Sequence, residues 1–132
     1  MTLQPTHIMQ IAVPVRDLDR ARAFYRDTLG LAHLFDAPPG LAFFQCGETR
    51  LMLSLPEGPE TAGASILYYA VPSAREAEMA LLAAGTRFEQ AAHKVATLGD
   101  RDVWLAIARD SEGNLIGLMS EEAAARAGRV IR

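Results

Sequence analysis

The chain is short of several things, and each shortage excludes something. There is one cysteine, Cys46, among 132 residues, so no internal disulfide and no cysteine-built metal cluster is available. No segment approaches the run of about 18 consecutive apolar residues that a membrane-spanning helix needs. Charge is nearly balanced, with 13 basic against 16 acidic residues and a net charge of -3. Without a basic run, that balance argues against a nucleic-acid surface. The N-terminal stretch MTLQPTHIMQ has no basic region leading into an apolar one, so no signal peptide is expected and a cytoplasmic location is the default.

What remains is an ordinary globular composition, 50% hydrophobic and 22% charged, in a chain the length of one domain with room for a sizeable core. The pattern along it opens with HIMQIAVPV (7–15), a strand with Ile11, Val13 and Val15 on one face and Gln10, Ala12 and Pro14 on the other. Asp17 is a candidate N-cap for a helix through LDRARAFYRDTLG, closed by Gly30, with Leu18, Ala21, Phe24, Tyr25 and Leu29 as its apolar stripe. LAHLFDA, LAFFQC and RLMLSL read as three strands, and PEGPETAGA (56–64) as a loop.

Then the order repeats. SILYYAV (65–71) is a strand, and PSAREAEMALLAAG is a helix with a capping box, Ser73 and Glu76. TRFEQAAHKVATL is extended and bulged, DVWLAIARD and NLIGLMS are the last strands, and EEAAARAG is expected to form a terminal helical turn. The first strands match at an offset of 56 and the last at 65, a difference assigned to a longer third strand in the second half.

The expected fold class is therefore α+β: paired βαβββ modules forming a curved mixed sheet around a groove, with helices on the convex side. The modules are placed at 7–55 and 65–120, with a linker at 56–64 and a tail at 121–132. Strand alternation then divides the side chains. The uniformly apolar sets, including Val103, Leu105, Ile107, Ile116 and Leu118, are assigned to the helices. The groove receives Gln10, Ala12, Met52, Ser54, Ile66, Tyr68, Ala70, Trp104, Ala106, Leu115, Gly117 and Met119. Gly117 interrupts an apolar strand, and a strand glycine often marks a close approach by a ligand or another backbone.

Two stretches, IAVPVRDLDRARAFYRDTLGL and RDSEGNLIGLM, give the chain a resemblance to the vicinal oxygen chelate superfamily, the glyoxalase, bleomycin resistance protein and dioxygenase family. The resemblance spans roughly residues 7–120 and implies the paired modules. Metal-dependent members place His or Gln, Glu, His and Glu at four groove positions. The resemblance puts these on Gln10, Met52, Ile66 and Gly117, with a slip of two residues open at Met52 and Ile66. A Met thioether suits hard divalent ions poorly, and Ile and Gly side chains carry no donor. No metal and no cofactor is expected.

Other candidates have a functional and a plain reading each. His93 is either an acid or base near a pocket or a hydrogen-bonded edge residue, and His7 and His33 belong at strand ends or surfaces. Trp104 either stacks on a flat ligand or fills space left by missing ligands. Tyr68 offers a hydroxyl to a ligand oxygen. Phe43 and Phe44 must face opposite sides, in an order the sequence leaves open. Cys46 is a strand-end core residue with no cationic cluster near it in sequence. The expected function is metal-independent binding of a small, partly apolar or aromatic molecule in the groove by a homodimer, as the resemblance to bleomycin resistance proteins implies. The alternatives are a lyase, isomerase or dioxygenase that uses an unusual metal set or metal-free chemistry by His93, Tyr68 and Gln10, and a partner-binding module.

Overall fold

The computed structural model describes residues 4, 6–56 and 65–124. Two compact units divide the chain, Met1–Ala64 and Ser65–Arg132. The first runs β1 (Gln10–Pro14), α1 (Leu18–Ala23), β2 (Ala32–Ala37), β3 (Leu41–Cys46) and β4 (Thr49–Ser54). The second runs β5 (Leu67–Ala70), α2 (Ala74–Ala83), β6 (Phe88–Leu98), β7 (Arg101–Arg109) and β8 (Leu115–Ala123). Each sheet is mixed, ordered β1-β4-β3-β2 and β5-β8-β7-β6, so each unit is a βαβββ module and the fold is α+β.

The two ladders share one register. In the first module Ile11, Ala12, Val13 and Pro14 pair in parallel with Leu51, Met52, Leu53 and Ser54. In the second, Leu67, Tyr68, Tyr69 and Ala70 pair with Ile116, Gly117, Leu118 and Met119. Ala12 and Tyr68 thus stand 56 residues apart while their partners Met52 and Gly117 stand 65 apart, the two offsets read from the sequence. The extra residues are not confined to one strand. They lengthen both arms of the β6–β7 hairpin, 11 and 9 residues against 6 and 6 in β2 and β3.

Local chemistry sets the helix ends. The Asp17 carboxylate accepts from the Arg20 N–H, and the Ser73 hydroxyl from the Glu76 N–H, each satisfying a donor the first helical turn leaves open. At α2 a further open donor, the Ala74 N–H, reaches the buried Ser120 hydroxyl on β8, which ties the helix to its sheet. The first helix is not α throughout: Phe24–Thr28 is a π turn, with the Leu29 N–H on the Phe24 carbonyl at 2.8 Å. Gly30 then takes a positive φ of 87°, and the Leu31 N–H closes on the Tyr25 carbonyl.

One face of each sheet meets its helix. In the first module Val13, Ala42, Phe44, Leu51 and Leu53 are buried there beneath Tyr25, whose ring lies 6.1 Å from that of Phe44. In the second module the same face buries Tyr69, Ala106, Ala108, Ile116 and Leu118. Burying a side chain of the Leu or Ile class contributes roughly 1.5–3 kcal/mol, so these two rows carry much of each module's stability.

Four expectations change. The strand expected at 65–71 shortens to Leu67–Ala70, which leaves Ile66 before the ladder and exposed. Glu121–Ala123 continue β8 opposite Arg101–Val103 instead of starting a helical turn; residues 125–132, like most of the loop expected at 56–64, lie outside the described residues. Trp104 and Ala106 lie on the helix-covered face, opposite Ser120 and Leu118. Correspondingly, Val103, Leu105 and Ile107 lie on the face turned away from α2, with Gly117 and Met119. The physical reason is that DVWLAIARD is apolar on both faces, so alternation separates two sets without saying which one meets the helix.

Candidate functional site

The face of the first module turned away from α1 is built in rows across its four strands. One row is Gln10, Arg50, Gln45 and Ala32; the next is Ala12, Met52, Phe43 and Phe35. Ser54 lies on the same face, one row further, beside Pro14 and Leu41. Phe43 therefore faces this side and Phe44 the helix. The Phe35 and Phe43 rings stack at 4.6 Å, and the Arg50 guanidinium lies 5.9 Å from the centre of the Phe43 ring. Arg50 Nε donates to Gln10 Oε1 at 2.7 Å, and Gln10 Nε2 points at Met52 Sδ at 3.8 Å. Among the described residues, no carboxylate pairs with Arg50. Gln10, Ala12, Met52 and Ser54 thus share a face, as alternation predicts. Arg50 and Phe35 were missed. Arg50 has the parity of Met52 and Ser54 and was legible on that ground. Phe35 reaches this face only because a bulge between His33 and Phe35 shifts the register of β2.

In the second module one row holds Tyr68, Gly117, Ile107 and Gln90, and the next Ala70, Met119, Leu105 and His93. The Tyr68 ring occupies the space over Gly117. A Cβ at Gly117 would sit 2.5 Å from Tyr68 Cδ2 and 2.9 Å from Cε2. The side chain over the glycine is Tyr68 and not Trp104. Trp104, on the other face, lies under Arg75 of α2, whose guanidinium is 4.0 Å from its ring centre and donates to Glu122 at 3.0 Å. Ser120 and then Arg75 hydrogen-bond the Glu122 carboxyl and hold it below the usual range.

His93 is exposed, with Nδ1 2.8 Å from the Ala91 carbonyl. It faces the same side as Tyr68 but from the opposite edge strand, three interstrand spacings or roughly 14 Å away. The structure does not bring these two residues to one reacting bond. His33 packs on the helix side against Phe44 and pairs with Asp36 at 2.8 Å, and His7 is 3.8 Å from Glu48. Cys46 ends β3 half-buried, where burial pushes its thiol pKa up and makes the thiolate scarcer.

The DSEGN turn that leads into β8 is organised by buried Asp110. Its carboxylate accepts from the Glu112 N–H, the Asn114 N–H and the Asn114 side-chain amide. That turn sets the register that carries Gly117 to its place. The family model for the glyoxalase/bleomycin resistance protein/dioxygenase superfamily matches residues 7–118. The chain belongs to this superfamily. Solved structures agree in fold. Lactoylglutathione lyase from Agrobacterium tumefaciens is 24% identical, with 89% of this chain and 95% of that one covered and a TM-score of 0.69. UcmS2 is 24% identical over 88% and 98%, with a TM-score of 0.72. A superfamily member from Sphaerobacter thermophilus DSM 20745 is 20% identical over 90% and 100%, with a TM-score of 0.73. At these identities the likeness is one of fold. No curated protein sequence matches the chain.

The resemblance assigns the ligands of the superfamily's metal to Gln10, Met52, Ile66 and Gly117. Gln10 Oε1, the one oxygen donor among them, already accepts from a guanidinium, and that fixed positive charge repels a divalent ion. Met52 presents a thioether. Gly117 has no side chain, and the Tyr68 ring takes its space. Ile66 is apolar. These residues do not fit the group. Among the described residues, no cluster of three His, Cys, Asp or Glu side chains stands elsewhere to replace them.

Proposed function

We propose that this superfamily member binds a small, partly apolar or aromatic molecule on a sheet face turned away from its helix and does so without a metal. The observation that carries the reading is the Arg50–Gln10–Met52 chain, which puts a cation and a thioether where a metal site needs anionic or neutral oxygen and nitrogen donors. The candidate contacts are Gln10, Ala12, Met52 and Ser54 on that face of the first module; Tyr68, Gly117 and Met119 are the candidates on the corresponding face of the second, each module taken by itself. Trp104 leaves the set because it faces α2. Ile66 remains a candidate at the margin, since it precedes the ladder. The partner class is a small molecule, and a homodimer in the cytoplasm belongs to the same reading.

Enzymatic chemistry by His93 and Tyr68 is disfavoured by their separation across the sheet. The test is metal analysis of protein purified without chelators, joined to melting curves. A metal that binds only the folded state stabilises by about 2.7 kcal/mol at a hundredfold excess over its Kd. EDTA should leave the melting temperature unchanged, and zinc, nickel, manganese and iron(II) should raise it little. A near-stoichiometric metal that survives dialysis, with a chelator-sensitive melt, overturns the reading and restores the enzyme.

A further inference from the structure

We infer that the face of the first module turned away from α1 recognises an aromatic carboxylate, with Arg50 as the anchor for the acid; this rests on the small-molecule reading above. Arg50 is half-buried, and among the described residues it has no acidic partner. Its Nε is committed to Gln10, which holds the guanidinium plane in place and leaves its two terminal nitrogens, the pair that meets a carboxylate side by side, without a hydrogen-bond partner among the described residues. The Phe43 ring lies within cation–π range of the guanidinium, 5.9 Å from ring centre to Cζ.

The next row supplies the rest of the chemistry. Met52, Phe43 and Phe35 form an apolar strip two residues along the strands from Arg50, about 7 Å away by strand rise. Phe35 is 49% exposed and stacked on Phe43, so its free side is open to a flat ring. A one- or two-ring planar acid matches that spacing, with its carboxylate on Arg50 and its rings along Phe35 and Met52. A neutral ligand of the same shape leaves the guanidinium unmatched, a dianion finds one fixed positive charge in these rows among the described residues, and a divalent cation is repelled by it. The charge pattern therefore selects a monocarboxylate.

The test compares 2-naphthoate with 2-naphthamide, which share a shape and differ in charge, by calorimetry on the full chain. Naphthoate should bind at least about tenfold more tightly than the amide, in keeping with a charge-assisted bidentate pair. Arg50→Met, which keeps the apolar stem, should erase that preference and leave amide binding within about twofold. Melting curves of the variant show that it folds, and amide chemical shifts of Phe35 and Phe43 place the ligand. Equal affinity for acid and amide in the wild type overturns the anchor while the small-molecule reading stands. Naphthoate binding that survives Arg50→Met overturns it too. Failure of both probes to bind overturns the aromatic-acid proposal, and the metal analysis above then decides the broader reading by itself.

Discussion

The ring of Tyr68 lies over Gly117, so close that a single methyl group on the glycine would meet Tyr68 Cδ2 at 2.5 Å. The two residues are ladder partners on neighbouring parallel strands, and the absence of a side chain on one makes room for the other. That relationship accounts for a glycine inside a buried strand.

It also predicts an effect whose sign depends on the partner. In the wild type, Gly117→Ala must push the Tyr68 ring off its preferred rotamer or into solvent, at a cost of about 1 kcal/mol. In a Tyr68→Ala background the same change should be neutral or stabilising, since glycine in a strand interior is worse than alanine by about 0.5–1 kcal/mol. Denaturant melts of the four proteins give the coupling directly. Additive effects would mean that the ring does not occupy the glycine's space.

Trp104 should report on α2 and not on a ligand. Its ring is capped by Arg75 on the helix-covered face, so a molecule on the opposite face of the same sheet has the sheet between itself and the indole. Emission excited selectively at the indole should change with Arg75→Ala and stay constant through a saturating titration. A ligand-dependent shift in the presence of intact Arg75 would place the indole on the other face, and the ladder register with it.

The pH dependence of stability has a defined contributor in the first module. His33, by a hydrogen bond, and then Arg22 hold the Asp36 carboxyl below the usual range. A carboxyl depressed in the folded state stabilises the fold fully above its unfolded value of about 3.9, and loses that contribution as pH falls through the folded pKa. Asp36→Asn should therefore lower the melting temperature slightly at neutral pH and flatten its fall below about pH 4, with an effect of at most about 1 kcal/mol because the group is part-exposed. Parallel curves for variant and wild type down to strong acid would show that the pair contributes nothing.

The sequence by itself determined the elements and their repetition. The caps at Asp17 and Ser73, the strand periods and the turn at DSEGN are local, and local chemistry writes them into neighbouring residues. The two offsets of the repeat survive in the ladders because they are set by segment lengths. The sequence also decided that no carboxylate stands at position 117. Tertiary structure decided what no local pattern contains. Which face of β7 meets α2 depended on its pairing with β8, since both faces of that strand are apolar. Phe35 joined Phe43 through a bulge that no periodicity announces. Arg50 met Gln10, forty residues away in the chain, only because β1 and β4 run parallel in one register. A hydrogen bond between distant residues is a property of how strands align, and alignment is settled by packing across the whole module.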